Sequence, residues 1–505
     1  MTQTNSGIAF RLNQPFDSLT FKKVLADAGY SQTALAKTLG LSSPHERQDV
    51  EVIYRRVKAD SPYNILVRLF RLGRQVDESI LRKELPKLDV KSLVAAGLLH
   101  CEDGVVRSNV KLTPYNDLLL ASDFGPEIHR EMSADHVLGV GAASLTLAGL
   151  TIRRKVKTAL DLGTGAGIQA FLAARHADHV IGTDTNPRAL NFAVFNTRLN
   201  HIEGVQWREG SLYEPVADEQ FDLIVSNPPF VISPESKFVF RDTNLPGDTI
   251  SQQVIRSAGE RLNEGGFACV LFNWHHQDDA DWASRPLSWV SDTGCDSWLL
   301  SFKTADPLTY AADWLKTGEG QDSPDYGRYL DEWMAYYEKM GIGQISAGAM
   351  FMRKRSAAAN WSRTDTIEKG RTVGECGQQV ERIFAAEDLL RSLDDDRRLL
   401  EHRLLFNKHH LLEHQLTVED GRWVVQVERL HTDKGISFSG NVDMHIARLL
   451  AGCDGQQTLR QLIRAVAPQT QSDPESLAGA CLAVVRKLMR SGFLSSVDGP
   501  DRPTQ

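Results

Sequence analysis

Short apolar runs and longer runs with helical spacing alternate through the middle of the chain. The short runs predict strands at 159–162, 180–183, 205–208, 223–226 and 268–273, with helical patterns separating the first four, most clearly at 167–175 and 187–199. Further along, strands are predicted at 298–303 and 346–353, with a helix at 325–340 between them. Such alternation is typical of an α/β fold, a doubly wound, Rossmann-like parallel sheet with helices on both faces.

The region before this sheet has a mostly helical pattern. Apolar residues recur at helical spacing over 20–28, 32–39 and 64–72, with Ser31 placed as an N-cap and Gly40 as a C-cap. Glu102-Asp103-Gly104 is a hairpin signal between a helical run and an apolar run at 105–112. Helices followed by a two-stranded ribbon predict a winged-helix-like domain.

The region after the sheet has a different pattern, with one predicted strand followed by three predicted helices. A strand is predicted at 423–430, after an Asp420-Gly421 turn, and helices at 442–450, 458–466 and 475–490. These elements predict an α+β domain whose end is a second winged-helix-like unit. We therefore predict three domains, at 1–125, 126–355 and 356–505.

Composition narrows the possible classes of protein. A chain of 505 residues is too long for one typical core, and 42% hydrophobic with 24% charged residues argues against disorder. The net charge of −8 excludes a generally basic nucleic-acid binder. Any such contact needs a local patch, and residues 47–91 hold eleven Lys/Arg against seven Asp/Glu. That excess is equally consistent with a solvated helical surface.

Several features argue against membrane, export and metal roles. The six cysteines form no Cys-x-x-Cys pair, and their number and spacing fit free thiols in a reducing compartment. The longest apolar stretch, 138–152, is too short to span a bilayer and predicts a buried helix. No signal peptide is visible, so we expect a cytoplasmic protein. His410 and His414 have one-helical-turn spacing but lack further ligands, and we interpret them as surface residues.

A glycine loop follows the first predicted strand of the sheet. Asp161 ends this strand, and the loop Gly163-Thr164-Gly165-Ala166-Gly167 opens a helix. Glycine allows backbone angles that other residues avoid, and it lets a ligand approach the main chain. Asp184 lies 23 positions after Asp161, at the end of the next strand, where an acid can accept both ribose hydroxyls of a nucleoside.

The same loop discriminates between two nucleoside cofactors. A dinucleotide fingerprint requires glycine at position 168, which is Ile. The acid Asp161 just before the loop suits a ligand with a cationic end better than a pyrophosphate. Both points favour S-adenosylmethionine over NAD.

A rigid tip follows the strand at 221–226 and has the sequence Asn227-Pro228-Pro229-Phe230. The two prolines remove two N–H donors, so carbonyl groups dominate this tip. The Asn227 side-chain oxygen and the Pro228 carbonyl can accept the two hydrogens of one NH₂ group, and Phe230 offers a face for stacking. Holding both hydrogens lets a planar nitrogen become pyramidal toward an electrophile. The mechanism needs no metal and no nucleophilic side chain.

The glycine loop resembles motif I of class I S-adenosylmethionine-dependent methyltransferases. The Asn-Pro-Pro-Phe tip resembles that of enzymes that methylate planar nitrogens, and the chain order matches the small-domain, HemK-like branch. The resemblance covers residues 126–355. It implies three contacts with S-adenosylmethionine. The methionine end of the cofactor is lined by Asp161, Gly163, Gly165 and Gly167, its ribose is bound by Asp184, and its adenine lies near Ser211. Residues 138–144 resemble the segment that covers the methionine end.

The resemblance leaves several functions open. The favoured one is N-methylation of an exocyclic base amine of RNA, ahead of DNA. A protein glutamine amide, as in release factors, is the alternative. A third possibility is a non-catalytic regulator that binds S-adenosylmethionine and uses its winged helices on DNA. Asn227 argues against that regulator, because a sensor needs the glycine loop alone.

Overall fold

The structure is a computed structural model that describes residues 16–40, 49–125, 128, 132–235, 237–318, 323–355, 359–367, 374–470 and 473–497. The chain divides into two compact units, one of residues 1–147 with 154–366 and one of 148–153 with 367–505. The predicted division into three domains stays a prediction. In the described ranges, no helix is long and apolar enough to cross a membrane.

The first part of the first unit is mostly helical. Its elements are α1 (Ser18–Asp27), α2 (Gln32–Leu39), α3 (Val50–Arg56), α4 (Pro62–Phe70), β1 (Val76–Asp77), α5 (Glu78–Glu84), α6 (Val90–Ala95), β2 (Leu99–Glu102), β3 (Val105–Ser108), β4 (Lys111–Tyr115) and β5 (Leu118–Ser122). The predicted hairpin is confirmed, since β2 pairs antiparallel with β3 in a sheet of order β1-β3-β2. The winged-helix assignment itself stays a prediction.

Local chemistry explains where the second helix begins and ends. The Ser31 hydroxyl accepts a hydrogen bond from the Ala34 N–H, and Gly40 follows with a left-handed φ of 66°. A hydroxyl satisfies one of the free amides of the first turn, and glycine closes the last turn without a Cβ clash. Both predicted caps of this helix are confirmed.

The rest of the first unit surrounds an eight-stranded sheet. Its elements are α7 (Ala142–Leu150), β6 (Val156–Leu162), α8 (Ile168–Ala173), β7 (Ala177–Asp184), α9 (Pro187–Asn200), β8 (Val205–Glu209), β9 (Phe221–Ser226), α10 (Thr249–Arg261), β10 (Leu262–His276), α11 (Ser284–Val290), β11 (Cys295–Ala305), α12 (Pro307–Gly318), α13 (Tyr326–Met340), β12 (Gln344–Lys354) and β13 (Ser362–Thr366). The strand order is β13-β11-β12-β10-β9-β6-β7-β8. The predicted α/β, Rossmann-like class is confirmed.

Two details of the sheet differ from the prediction. Strand β12 runs antiparallel to both of its neighbours, so the sheet is mixed. Between β8 and β9 the structure has a 3₁₀ turn at Glu214–Val216 instead of a helix. Strand direction depends on how the chain returns, which the period of apolar residues does not record.

Helix α9 joins the antiparallel pair of β4 and β5, called the N-terminal hairpin below, to the sheet. Its Phe192, Phe195 and Leu199 belong to one apolar core with the N-terminal helices. The Asn196 side chain accepts from the Ala121 N–H at 2.8 Å and donates to the Ala121 carbonyl at 3.0 Å. Asn200, one turn later, forms the same pair of hydrogen bonds with Leu119. The two amides continue the hydrogen bonding of β5 at its edge.

The second unit is smaller. Its elements are α14 (Gly377–Ser392), β14 (Arg403–Phe406), β15 (Leu411–Glu419), β16 (Arg422–His431), β17 (Ser439–Asn441), α15 (Met444–Ala451), β18 (Asp454–Thr458), α16 (Leu459–Thr470), α17 (Pro474–Arg490) and β19 (Leu494–Ser496). The predicted strand after Asp420-Gly421 and the three predicted helices are confirmed. His414 lies on β15, so the helical spacing assumed for His410 and His414 is wrong.

Candidate functional site

The glycine loop connects β6 to α8 at the carboxyl edge of the sheet. The N–H groups of Gly163 and Thr164 both donate to the Thr183 carbonyl at 2.9 Å. Gly163 and Gly165 have φ values of 74° and 55°, and a Cβ built on either would meet no atom within 4 Å. These two glycines therefore face open space that a ligand can occupy against the main chain.

Asp161 is buried beneath this loop. Its Oδ2 accepts from the Thr164 hydroxyl at 2.6 Å and from the Ala170 N–H at 2.9 Å. Burial raises the pKa of Asp161 to about 7, and the nearby Asp184 adds to the rise. A cationic ligand group beside it would favour the ionised form.

Asp184 ends β7 and supports the loop from the next strand. Its Oδ2 accepts from the Gly165 N–H at 2.8 Å, and its Oδ1 accepts from the Asn186 N–H at 2.9 Å. Burial raises the pKa of this carboxyl above its usual value, while the hydrogen bonds from Asn186 and Gly165 oppose the rise. Asp184 thus has a structural task in addition to any contact with a ligand.

The Asn-Pro-Pro-Phe tip follows β9, the strand beside β6. The Ser226 hydroxyl donates to the Leu162 carbonyl at 2.8 Å, which holds the ends of these two strands together. The Asn227 Oδ1 atom is buried and has no hydrogen-bond partner among the described residues. A buried acceptor without a partner costs about 1–3 kcal/mol, so this oxygen is prepared for a donor from outside the chain.

A cavity of about 660 Å³ brings most of the predicted residues together. Its lining includes Asp161, Gly163, Thr164, Gly165, Asp184, Ser211, Asn227, Pro228 and Pro229, together with residues 138–144. Gly167 and Phe230 do not line it. Gly167 lies below the loop, where a Cβ would meet the Phe171 ring at 2.6 Å, and Phe230 lines a second cavity.

These residues fit S-adenosylmethionine. The volume lies in the range of about 300–1,000 Å³ that is typical of small-molecule sites. Asp161 can bind a cationic amino group, Asp184 can accept ribose hydroxyls, and the glycines leave the main chain accessible. Ser211 faces the same cavity, beside Gly210, whose N–H donates to the Asp184 carbonyl at 3.1 Å.

Some of the lining was not predicted from the sequence. Residues 238–240 and 242–245, which follow the Asn-Pro-Pro-Phe tip, form one wall, and His136 and Leu212 add to it. Leu212 has a φ of 48°, a left-handed value that is rare for a bulky residue. The polar run Arg241-Asp242-Thr243-Asn244 was the available signal for a functional loop, but its distance from the glycine loop depends on the tertiary fold.

Comparison with known proteins agrees with this geometry. Residues 138–280 match the sequence profile of the family described as methyltransferase small domain. A release factor glutamine methyltransferase of Aliivibrio fischeri is 44% identical over 75 residues, 14% of this chain and 26% of that protein. A ribosomal protein uL3 glutamine methyltransferase of Bradyrhizobium diazoefficiens is 30% identical over 191 residues, 35% of this chain and 59% of that protein. An arsenite methyltransferase of Halobacterium salinarum is 42% identical over 91 residues, 17% of this chain and 23% of that protein.

The similarity to these relatives is partial. The chain spans between 23% and 59% of their lengths. Residues 27–109 and 381–496 match two further families, both described as domains of unknown function. The glycine loop, Asp161, Asp184 and the Asn-Pro-Pro-Phe tip all lie within residues 138–280. The family match, the relatives and the geometry of the site together identify residues 138–280 as a methyltransferase small domain.

Proposed function

We propose that the chain transfers a methyl group from S-adenosylmethionine to the nitrogen of a planar NH₂ group. The observation that carries this proposal is the buried Asn227 Oδ1 atom, which lacks a partner among the described residues. An amide oxygen in this state can accept a hydrogen bond, and the Pro228 carbonyl beside it offers a second acceptor, so the pair suits the two hydrogens of one NH₂ group. The cost of leaving the Asn227 oxygen unpaired is offset when a substrate amine donates to it.

The tip itself explains how such a nitrogen is activated. The cofactor, when bound, supplies an electrophilic methyl group. The Asn227 Oδ1 atom and the Pro228 carbonyl accept the two N–H hydrogens, so the nitrogen can become pyramidal and its lone pair is withdrawn from the π-system of the substrate. When the new N–C bond forms, the nitrogen releases one of these protons to solvent. The rings of Pro228 and Pro229 restrict the main chain that carries the Pro228 carbonyl, so this acceptor needs little reorganisation in the transition state.

We further propose an exocyclic amine of an RNA base as the acceptor, ahead of a DNA base. Phe230 directly continues the tip and lines a second cavity rich in aromatic side chains, which suits a flat ring. A glutamine amide is the second candidate. It is favoured by the two relatives named as glutamine methyltransferases, which match part of the chain at 30% and 44% identity.

The test is transfer of labelled methyl groups from S-adenosylmethionine into RNA, DNA and protein fractions of a strain that lacks this protein. We expect label in RNA. Asn227→Ala should lower kcat by on the order of 10²–10³, the loss found for one transition-state hydrogen bond, with cofactor affinity nearly unchanged. Asn263→Ala is a matched control, because Asn263 donates to Asp222 at 2.8 Å and lines neither cavity.

Each alternative has its own result. Label in the protein fraction would select the glutamine amide. Full activity of Asn227→Ala on the labelled acceptor would contradict the planar-amine mechanism. Cofactor binding by an unmodified chain with no transfer to any fraction would favour a regulator.

A further inference from the structure

A second cavity, of about 380 Å³, lies in the first unit and has an aromatic lining. Its aromatic residues are Phe230, Phe272, Phe302, Tyr310 and Trp314. Tyr310 and Trp314 belong to α12, which follows the region matched by the methyltransferase family at 138–280. The cavity is therefore built partly by the shared catalytic region and partly by a helix that lies outside it.

Helix α12 is tied directly to the catalytic tip. The Tyr310 hydroxyl accepts from the Ile232 N–H at 3.1 Å and from the Asn273 side-chain amide at 2.7 Å. Ile232 lies two residues after Phe230, and Asn273 lies near the end of β10. Tyr310 is buried, so these contacts are shielded from water. The position of α12 is thus coupled to that of Phe230.

The two cavities are adjacent. Ala143 lines both of them, and Phe230 in the second cavity directly follows Pro229 in the first. The centroids of the Phe230 and Trp314 rings are 6.5 Å apart, with an angle of 70° between the ring planes. Edge-to-face rings at this distance form a corner against which a further flat ring can pack.

We propose that this second cavity binds the nucleobase that carries the reactive amine, and that Trp314 is a substrate-binding residue. The inference rests on the proposed function and adds where the base binds and which residue outside the matched region holds it. Stacking on aromatic side chains selects for a flat ring with little regard to its edges, so the choice of an amino-bearing base falls to Asn227. A glutamine side chain has no ring to place against Phe230, Phe302 and Trp314.

The rim of the cavity is compatible with a nucleic-acid strand. Lys303 lines the cavity and forms an ion pair with Asp313 at 2.7 Å, and both side chains are at least half exposed. An exposed pair of this kind contributes about 0–1 kcal/mol. Lys303 can therefore turn to a phosphate group at small cost.

The experiment uses the full chain and a single-stranded RNA nonamer that contains 2-aminopurine, a fluorescent purine with an exocyclic amine. Stacking quenches its fluorescence, so titration reports insertion between aromatic rings. We expect Trp314→Ala to weaken binding about five- to hundredfold, the range for one lost base stack, and to reduce the quench. Trp314→Phe should retain most of the binding. Leu308→Ala, on the exposed face of the same helix, is the matched control.

Folding and cofactor binding are checked separately. Trp314→Leu keeps apolar volume without a ring and replaces Trp314→Ala if that variant does not fold. S-adenosylmethionine affinity, measured by calorimetry, should be the same in all variants, because Trp314 does not line the cofactor cavity. A changed cofactor affinity would overturn the assignment of Trp314 to the substrate.

Two further results would overturn the proposal. One is an equal quench by the wild type and by Trp314→Leu. The other is a Trp314-dependent affinity for the peptide acetyl-Gly-Gly-Gln-amide without any for the nonamer. Failure of the proposed function has a different signature, namely no methyl transfer to any fraction by the wild type, while the quench still reports on the cavity.

Discussion

The contact between Asp184 and Gly165 allows a quantitative test of the cofactor site. In the wild type, both carboxylate oxygens of Asp184 accept hydrogen bonds from backbone N–H groups, at 2.8 and 2.9 Å. In Asp184→Asn, one of these oxygens is replaced by an NH₂ group. One of these donors must then face another donor. Loss of a hydrogen bond to a charged group costs about 1.5–3 kcal/mol. The same range applies to a ribose hydroxyl that donates to the Asp184 carboxylate, so at 1.4 kcal/mol for each factor of ten the S-adenosylmethionine affinity should fall roughly ten- to hundredfold.

Isothermal titration calorimetry with S-adenosylmethionine and with S-adenosylhomocysteine measures this loss. The matched control is Asp178→Asn, at the exposed start of the same strand, which should bind both ligands as the wild type does. Thermal unfolding without ligand reports whether the loop itself is weakened. Wild-type affinity in Asp184→Asn would refute the claim that this carboxylate organises the cofactor site.

Two further predictions concern stability. Gly182→Ala would place a Cβ 2.3 Å from Cζ3 of Trp207, and urea denaturation should show a loss of about 1–3 kcal/mol, whereas an unchanged midpoint would contradict the crowding. For Asp161, burial raises the pKa to about 7, so between pH 4 and 7 the folded state holds a proton that the unfolded state has released. The unfolding free energy of the ligand-free wild type relative to Asp161→Asn should therefore fall as the pH rises through this window. A difference independent of pH would contradict the assignment.

The parts of the site that could be predicted from the sequence are those formed by a few consecutive residues. The glycine loop and the Asn-Pro-Pro-Phe tip each combine a buried strand with residues of special backbone geometry. Parallel strands bring their carboxyl ends to one edge, so Asp161, Asp184 and Asn227 could be placed on one cavity from the chain order alone.

The parts that could not be predicted depend on long-range contacts. The Tyr310 hydroxyl meets the Ile232 N–H across 78 positions of sequence, and no local period encodes such a partner. Helix α12 was not predicted, although Tyr310, Ala311, Trp314 and Leu315 recur at helical spacing. The direction of β12 was missed, and so was strand β15, which pairs with the predicted β16, because periodicity reports which face is buried and not which strand is adjacent.

Local charge counting was equally incomplete for the N-terminal region. In the part of residues 47–91 that the structure describes, ion pairs within the segment are formed by Arg55, Arg68, Arg74, Arg82 and Lys83. Their partners are acids of the same segment. These pairs neutralise cations locally but leave the net positive excess of the segment unchanged, so the count alone does not locate a nucleic-acid-binding patch.

The amide pairs of Asn196 and Asn200 bear on how this chain can change in evolution. Asn196 also donates to the Ala166 carbonyl at 3.0 Å, so one buried side chain holds both the N-terminal hairpin and the glycine loop. Loss of the hairpin would leave this amide partly unpaired directly beneath the cofactor loop. Deletion of the N-terminal hairpin and replacement of the two asparagines are therefore coupled changes.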